Sequence, residues 1–273
     1  MLESLENGLG LSIVEFFQKG SWGEILWYLL YPFNLIGSEM GFLVLLPVVY
    51  WSVNKSAGKR LLILSLAGSV IFSGLKSWWK RPRPFHVNPA IRHIANTAEF
   101  GLPSGHTIFG TSVGLWVASY FRKWKITLIM IVCILLMGIS RMVHGMHYPQ
   151  DVVTGWLLGG LFFGLYYLLT PKIEGWFKEN TFRKGMIFSL SLLIVAFVLV
   201  IILSDQYEVR KSVLSPLGAL VGGLLGIFFE EKQIRFSTNI KLKIRVLRAI
   251  VGLIILIAFY LLLDVGYYAF FKV

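Results

Sequence analysis

The sequence is poor in charged residues, in acidic residues and in cysteine. Only 15% of the 273 residues are charged, whereas about 25% are charged in a typical soluble domain, which excludes an ordinary soluble globular protein. The single cysteine, Cys133, excludes a disulfide within the chain. The 14 acidic residues leave a formal charge of +12. Much of the basic excess lies in short loops between apolar runs, where it sets membrane topology and contacts anionic lipid, so we expect no nucleic acid partner.

Long apolar runs make up most of the chain. Hydrophobic residues account for 56% of it, in runs of about 15–20 residues without strand-like alternation. The sequence therefore predicts an all-α fold: a polytopic membrane helix bundle of about 6–8 transmembrane helices, plus an N-terminal interfacial helix. We expect one integral-membrane domain over residues 1–273, with additional C-terminal transmembrane helices over 185–271 and a re-entrant or interfacial segment over 22–39. The expected spans lie near 40–53, 59–75, 104–120, 126–143, 150–170, 185–203, 212–229 and 248–270.

The distribution of basic loops predicts an orientation. One set of loops alternates with the expected spans so that all its members lie on one side, and it is rich in Lys and Arg. By the positive-inside rule that side is cytoplasmic. The loop 76–103 and the turn 141–149 then lie on the opposite, exoplasmic face. The basic loops are 54–60, 121–125, 171–184 and 230–248.

A first candidate motif, Pro103-Ser104-Gly105-His106, joins a polar loop to an apolar run. Ser104 is a suitable N-cap, so the next backbone N–H groups point out of the helix start and favour an anion. Gly105 allows a phosphate group to approach the backbone closely. Taken alone, the tetrapeptide is equally compatible with a plain capped helix.

A second candidate motif contains Lys76 and Arg83, which is followed by Pro84. Arg offers a planar fork to two phosphate oxygens and Lys offers a point charge, so we interpret both as phosphate ligands. The prolines on either side of Arg83 limit where its guanidinium can point. For the neighbouring Lys80 and Arg81 we favour contact with lipid headgroups at the membrane interface.

The third motif runs from Ser140-Arg141 to His147 and Asp151. It spans a tight turn between two expected helices, with Asp151 one turn beyond His147. A carboxylate that accepts from one imidazole nitrogen fixes the tautomer and leaves the other nitrogen free to attack phosphorus. All three motifs fall on one predicted membrane face. Together they predict a phosphate-handling site whose chemistry requires no metal and no cofactor.

These motifs resemble the three-part signature of the type-2 phosphatidic-acid phosphatase superfamily, K-x6-RP, PSGH and SR-x5-H-x3-D. All eleven specified identities are present, within residues 76–151. The runs Glu99–Ser104 and Gly37–Glu39 also resemble, loosely, the sphingoid-base phosphate phosphatase branch. The resemblance implies an integral-membrane lipid phosphatase with its active site on the periplasmic, extracellular or lumenal face.

The resemblance also implies a role for each motif residue. His147 would be the nucleophile and form a phosphohistidine, Asp151 would orient it, and His106 would protonate the leaving group and then activate water. The implied partners are a lipid phosphate substrate and membrane lipid, with the oligomeric state left open. The implied phosphate-binding residues are Lys76, Arg83, Ser104, Gly105 and Arg141.

Several functions remain open at this stage. A lipid phosphate monoester or pyrophosphate is the expected substrate, and phosphatidic acid, phosphatidylglycerol phosphate, sphingoid-base phosphates and undecaprenyl pyrophosphate all qualify. The alternatives are a lipid or sugar phosphotransferase, a phosphatase of soluble sugar phosphates, and a lipid-phosphate transporter. Vanadium haloperoxidases share the motif residues, but they require bound vanadate. Because the nucleophile, its acid partner and the general acid are all present, the sequence favours catalysis.

Other polar and small residues receive structural interpretations. We interpret His86, His93 and His144 as surface or loop histidines, and Asn96 and Glu99 as parts of a solvated loop. Glycines at four-residue spacing predict close helix packing in lipid. They are Gly110/Gly114, Gly155/Gly159, Gly160/Gly164 and Gly218/Gly222/Gly226.

Overall fold

The computed structural model describes residues 6–97, 99–177, 181–202 and 207–271, and in these ranges every regular element is a helix. Wider helical turns at Val49–Val53 and Glu230–Ile234 extend two of the α-helices. The all-α expectation is confirmed. The α-helices are α1 (Leu11–Gln18), α2 (Gly20–Ile36), α3 (Glu39–Val48), α4 (Lys55–Trp79), α5 (Pro84–Val87), α6 (Gly105–Phe121), α7 (Trp124–Val143), α8 (Pro149–Phe177), α9 (Thr181–Ile202), α10 (Tyr207–Phe229) and α11 (Leu242–Phe271).

The described residues contain five helical stretches long and apolar enough to cross a membrane. A sixth is formed if Gly20–Ile36 and Gly41–Val53, which meet at an angle of 51°, count as one broken span. A count of six spans is the lower limit of the expected 6–8, and both counts are below the eight span positions expected from the sequence. The five stretches are Lys55–Val87, Trp124–Val143, Pro149–Gly175, Val213–Ile234 and Leu242–Leu262.

Helix α6 lies among α4, α7 and α8 and forms the centre of the bundle. It has only 17 residues, and one of its faces buries the polar Thr107, Thr111 and Ser112. Ser112 satisfies its hydroxyl with the carbonyls of Ile108 and Gly159, at 2.9 and 3.0 Å. Buried polar groups of this kind must be hydrogen-bonded within the protein, so α6 is fixed by its neighbours rather than by its own hydropathy.

The glycine spacing predicts close packing correctly for Gly110/Gly114 and Gly155/Gly159, and incorrectly for Gly160/Gly164 and Gly218/Gly222/Gly226. A Cβ on Gly155 would lie 2.8 Å from Thr107 Cβ, and one on Gly159 would lie 2.7 Å from the Ile108 carbonyl, so these glycines let α8 approach α6. By contrast, a Cβ on Gly222 or Gly226 would meet no described atom within 4 Å. The expectation of close packing is therefore wrong for this part of α10, which faces open space.

The loops expected on the cytoplasmic side do gather at one end of the bundle. Arg60 pairs with Glu174 at 2.8 Å, joining the start of α4 to the end of α8. Lys59 pairs with Glu231 at 2.8 Å, which brings the turn after α10 to the same end. The opposite end carries the three motifs.

Helix α1 covers the end that carries the motifs. Val14 is fully buried against Phe85, Ile91 and Met146. The Gln18 amide donates to the carbonyls of Arg92 and Val143, at 2.7 and 2.9 Å. The N-terminal helix therefore ties the loop after α5 to the end of α7.

Candidate functional site

The chain after α4 turns back into the bundle and carries Arg83 with it. Lys80 ends the helix in the left-handed region at φ 49°, and the two prolines around Arg83 keep the following residues extended. Arg83 is 3% exposed. Its Nε donates to the Glu99 carbonyl at 2.8 Å, and its Nη1 donates to the Met146 carbonyl at 3.2 Å. These bonds aim the guanidinium at the turn that holds His147.

A tight turn after α7 sets the position of His147. Gly145 takes a left-handed φ of 65°, and a Cβ there would lie 2.2 Å from the Arg92 carbonyl, so only glycine fits. The backbone N–H of His147 then donates to the Arg141 carbonyl at 3.2 Å. The imidazole is 1% exposed as a result.

The two ring nitrogens of His147 face groups of opposite charge. Nε2 lies 3.2 Å from Arg83 Nη1, and Nδ1 lies 3.4 Å from Asp151 Oδ2. A guanidinium can only donate, so Nε2 must accept and Nδ1 must carry the proton in this arrangement. Asp151 Oδ2 also accepts from the backbone N–H of Tyr148 at 3.0 Å, which fixes the carboxylate. The tautomer leaves the lone pair of Nε2 directed toward the cations.

The surroundings of His147 disfavour its protonated form. Burial lowers the pKa of His147 well below its ordinary value, and the positive charge of Arg83 is the next largest cause. Arg141 and Lys76 act in the same direction. The ring is therefore neutral at physiological pH, as a nitrogen nucleophile must be.

Lys76 and Arg141 complete the cluster of cations that the sequence predicted. Lys76 Nζ lies 3.0 Å from Glu99 Oε2. Arg141 is 3% exposed and donates through Nη1 to the Asn34 side chain, while its Nε has no hydrogen-bond partner among the described residues. The described ranges contain no group of three or more His, Cys, Asp and Glu side chains that could hold a metal ion.

His106 lies at the edge of this cluster. Its charged neighbours are Arg141, Lys76 and Arg83, and its ring lies near the backbone of Asn34. A Cβ on Gly37 would lie 2.8 Å from the His106 ring, so the break between α2 and α3 is packed against this residue. The segment interpreted as re-entrant thus reaches the site.

Ser104 occupies the N-cap position of α6, as predicted, but it makes different bonds from those expected. Its hydroxyl accepts from Thr107 Oγ1 at 2.8 Å and caps no backbone N–H in the described structure. Its backbone N–H donates to the Asp151 carbonyl at 3.2 Å, which joins the second motif to the third. Gly105 faces the ammonium of Lys76, and a Cβ there would lie 3.7 Å from Nζ.

Arg81 belongs to the site, contrary to the prediction that it contacts headgroups. It is 7% exposed, and its Nη1 lies 2.9 Å from Asp151 Oδ1. Its guanidinium also stacks over the Tyr148 ring at 4.6 Å. A signal was present in the sequence: Arg81 and Arg83 flank Pro82 in an extended segment, where residues two apart share a face. Lys80, by contrast, is exposed, as expected.

Two further residues were misassigned from the sequence. Glu99 does not belong to a merely solvated loop, because it pairs with Lys76 and lies 3.6 Å from Arg83 Nη2. His144 is fully buried, with Nε2 3.1 Å from the Trp27 carbonyl and its ring against the Trp27 indole. Its position three residues after Arg141, on the same helical face, is the signal that could have indicated burial. His86 is exposed, as expected.

A large cavity opens from the site into the bundle. Its volume is about 1730 Å³, and Lys76, Gly105 and His106 line its upper end. From there it runs between α3, α4, α10 and α11. A buried cluster of cations that adjoins a mainly apolar cavity, in a bundle of membrane-spanning helices, defines an integral-membrane protein with an enclosed charged site.

Comparison with known proteins agrees with this class. The chain matches the PAP2 superfamily over residues 58–174 and the PAP2 superfamily phosphatase, transmembrane extension, over residues 214–270. The protein belongs to the PAP2 superfamily of membrane phosphatases. The second match covers α11 and most of α10, the helices that form one wall of the cavity.

Individual relatives include phosphatases of several lipids. The chain is 24% identical to sphingosine-1-phosphate phosphatase 1 of Rattus norvegicus over 63% of its own length and 41% of the rat protein. It is 30% identical to undecaprenyl-diphosphatase BcrC of Bacillus subtilis over 50% of its length and 72% of that protein. A transmembrane PAP2-type phosphatidylglycerolphosphate phosphatase from Bacillus subtilis aligns with a TM-score of 0.49 and 21% identity, covering 63% of this chain and 87% of that one. The chain thus spans about two fifths of the length of the first of these relatives.

Proposed function

We propose that the protein is a metal-independent phosphatase of a lipid phosphate monoester or pyrophosphate and that His147 is its nucleophile. The observation that carries the proposal is the arrangement of His147, with Nδ1 toward Asp151 and Nε2 toward Arg83. That arrangement presents an unprotonated nitrogen where a phosphoryl group would be held by cations. It supports attack on phosphorus better than a purely structural His–Asp pair, which would need no adjacent guanidinium.

In the first step, Nε2 of His147 forms a bond to phosphorus as the bond from phosphorus to the leaving oxygen breaks. His106 donates a proton to that oxygen, so the lipid departs as an alcohol or, from a pyrophosphate, as a monophosphate. Asp151 stabilises the positive charge that develops on the imidazole. The product of this step is a phosphohistidine.

In the second step, His106 takes a proton from water as the water oxygen attacks phosphorus. The bond between phosphorus and Nε2 breaks, inorganic phosphate leaves and His147 returns to its neutral form. Lys76, Arg83 and Arg141 hold the phosphoryl oxygens in both steps, with Ser104 and Gly105 at the start of α6. Such positioning and charge stabilisation account for most of the catalysis of phosphoryl transfer, which is why no metal is required.

The cavity supports a lipid rather than a soluble sugar phosphate as substrate. It meets the site at Lys76 and His106 and continues between apolar side chains of α3, α4, α10 and α11. A sugar phosphate would leave these apolar walls without a partner. Glucose 6-phosphate should therefore be a poor substrate.

We also propose that the site faces the exoplasmic side of the membrane, because the opposite end gathers the basic loops. Cysteines placed at Ala90, near the site, and at Lys123, at the other end, test this. An impermeant thiol reagent applied to intact cells should label the first and spare the second. Labelling of the second alone would reverse the orientation.

The function is tested by phosphate release from purified protein in detergent with excess EDTA. The panel contains long-chain lipid phosphates, a polyprenyl pyrophosphate and glucose 6-phosphate. We expect release from lipid substrates, loss of release in His147→Ala, and near-normal release in His93→Ala, a change at a histidine whose Nε2 lies 2.7 Å from Asn96 Oδ1 in the loop. Loss of activity in EDTA that added metal restores would contradict metal independence. Transfer of phosphate to an added alcohol, without release, would indicate a phosphotransferase, and lipid movement without either reaction would indicate a transporter.

A further inference from the structure

The cavity below the site is deep as well as large. On α4 its lining extends from Lys76 down to Leu62, and at the helical rise this is about 21 Å. The hydrocarbon of one membrane leaflet is only about 15 Å thick, half of a typical bilayer core. The cavity is therefore deeper than the hydrocarbon of one leaflet is thick.

The upper end of the cavity, next to the site, is charged, and the walls below it are mainly apolar, with Ser65, Ser69 and Ser73 among the lining residues of α4. Lys76 and His106 line the top, beside the phosphate site. Phe72, Leu66 and Leu62 succeed one another on α4 below Lys76. A molecule that fills both parts must carry an anionic head on a hydrocarbon chain.

The lower end of the cavity is polar again. Glu230 lines it there, is 6% exposed, and accepts from the Tyr50 hydroxyl at 3.1 Å. Lys55 pairs with the same carboxylate at 2.5 Å. A hydrocarbon chain gains nothing from contact with this cluster. The part of the cavity that favours a hydrocarbon chain therefore ends at Glu230.

Glycines of α10 form the wall just above that polar end. Gly222, Gly223 and Gly226 all line the cavity. Gly223 packs against Leu62 of α4, since a Cβ there would lie 3.0 Å from Leu62 Cδ2. This contact places the glycines of α10 at the same level of the cavity as Leu62. Gly226 lies about 6 Å, or roughly one helical turn, deeper than Gly222. The absence of side chains at these positions is what keeps the lower cavity open.

We propose that the cavity holds a long hydrocarbon chain of the substrate and that Gly222 and Gly226 set the longest chain that fits. The proposal rests on the proposed function, since the occupant is the chain of the lipid whose phosphate is cleaved. Its physical basis is continuity, because one cavity contacts both the phosphate site and these glycines. A leucine at either glycine would project into the space that the chain needs.

The first test measures kcat/KM for a series of saturated alkyl phosphates in detergent micelles. Their extended lengths run from well short of Gly222 to beyond Gly226. Gly222→Leu should lower the ratio of long-chain to short-chain kcat/KM by about tenfold or more, the discrimination that a misfitting apolar pocket provides. Gly226→Leu should do so only for chains about one helical turn longer.

The matched control is Gly218→Leu, the same change in the same helix. A Cβ on Gly218 meets no described atom within 4 Å, and the residue does not line the cavity. This variant should follow the wild-type chain-length profile. Leucine favours helix over glycine, and all three positions have room for it, so folding should not obscure the comparison.

The second test is independent of catalysis. A long alkyl phosphate with a diazirine at its chain end is photolysed with the His147→Ala protein, and the labelled peptides are mapped. Label should fall near Leu62 and Ile227, should be competed by unlabelled long alkyl phosphate, and should move toward Phe72 in the Gly222→Leu background. Label on Leu157 and Leu161, exposed on the outer face of α8, would contradict the proposal. Competition by plain detergent but not by alkyl phosphate would also contradict it, by indicating a resident lipid or detergent.

The two tests separate this proposal from the proposed function. Deep, competed labelling without hydrolysis of any substrate would reject the phosphatase and keep the chain site. Hydrolysis with the same chain-length profile in all three glycine variants, with label outside the cavity, would keep the phosphatase and reject the chain site.

Discussion

Glu99 Oε2 lies 3.0 Å from Lys76 Nζ and 3.6 Å from Arg83 Nη2. The carboxylate thus occupies the space between two cations that are proposed to hold the substrate phosphate. The Glu99 carboxylate neutralises these two cations, as a phosphate oxygen would do in its place. Substrate binding therefore requires Glu99 to move or to share its partners.

Removing the charge of Glu99 should strengthen anion binding. We expect Glu99→Gln to lower the inhibition constant of inorganic phosphate or vanadate by roughly tenfold, equivalent to about 1.4 kcal/mol of relieved competition. The control is Glu24→Gln, which removes an exposed partner of Arg92 at the same end of the bundle. Weaker inhibition in Glu99→Gln would mean that the carboxylate holds the cations in place rather than competing with the ligand.

Arg81 should be essential for both stability and activity. Removing one partner of a buried ion pair typically costs about 3–5 kcal/mol, and Arg81→Gln would do this to Asp151, the residue that orients His147. We expect a lower unfolding temperature in detergent together with a lower kcat. Lys80→Gln, a change at the exposed neighbour, should alter neither. Full activity in Arg81→Gln would show that Asp151 needs no help from this guanidinium.

The approach of α8 to α6 should control the geometry of the site. Gly155→Ala would place a methyl group 2.8 Å from Thr107 Cβ and 3.1 Å from the Ser104 carbonyl, so the helices must separate beside the second motif. We expect a destabilisation of about 1–3 kcal/mol and reduced kcat, read from thermal unfolding and phosphate release. Gly160→Ala lies five residues further along α8, where a Cβ would meet no described atom within 4 Å, so it should be neutral or slightly stabilising. Equal behaviour of the two variants would contradict this account.

The pH profile should report the neutral state of His147. Because burial and Arg83 lower its pKa, the ring stays neutral below its ordinary value of about 6.5. The acid limb of kcat/KM that is due to this residue should therefore lie below pH 6.5. Arg83→Gln removes a cation that disfavours protonation, so the limb should move to higher pH. Both proteins are measured on one substrate, so that ionisation of the substrate affects both profiles equally. A shift of the acid limb to lower pH in Arg83→Gln would contradict the prediction.

The fold was predictable where local chemistry decides it. Apolar runs predicted the helices of the bundle. Lys76 and Arg141 lie at the ends of such runs, which correctly predicted that both lie at the same end of the bundle. Packing was less predictable, because spacing alone does not say what a glycine faces. Gly155 and Gly222 have the same four-residue pattern, yet one contacts α6 and the other opens onto a cavity.

The site was predictable for residues that have a motif, and less so for their supports. His147 and Asp151 come together through a single helical turn, which sequence spacing encodes directly. Glu99 and Asn34 reach the cations from other parts of the chain, and no local pattern specifies such long-range contacts. His144 and Arg81 carried usable signals in the periodicity of a helix and of an extended segment, which a reading based on exposure overlooked.

The proposed mechanism requires that His147 becomes covalently phosphorylated. The most direct measurement is mass spectrometry of the His106→Ala protein, quenched in alkali after brief exposure to a long-chain lipid phosphate in EDTA. We expect a phosphoryl group on His147, since loss of His106 slows the breakdown of the intermediate. His106→Ala together with His147→Ala should carry none. Phosphate found on another residue, or turnover that persists in the His147→Ala protein, would contradict the account.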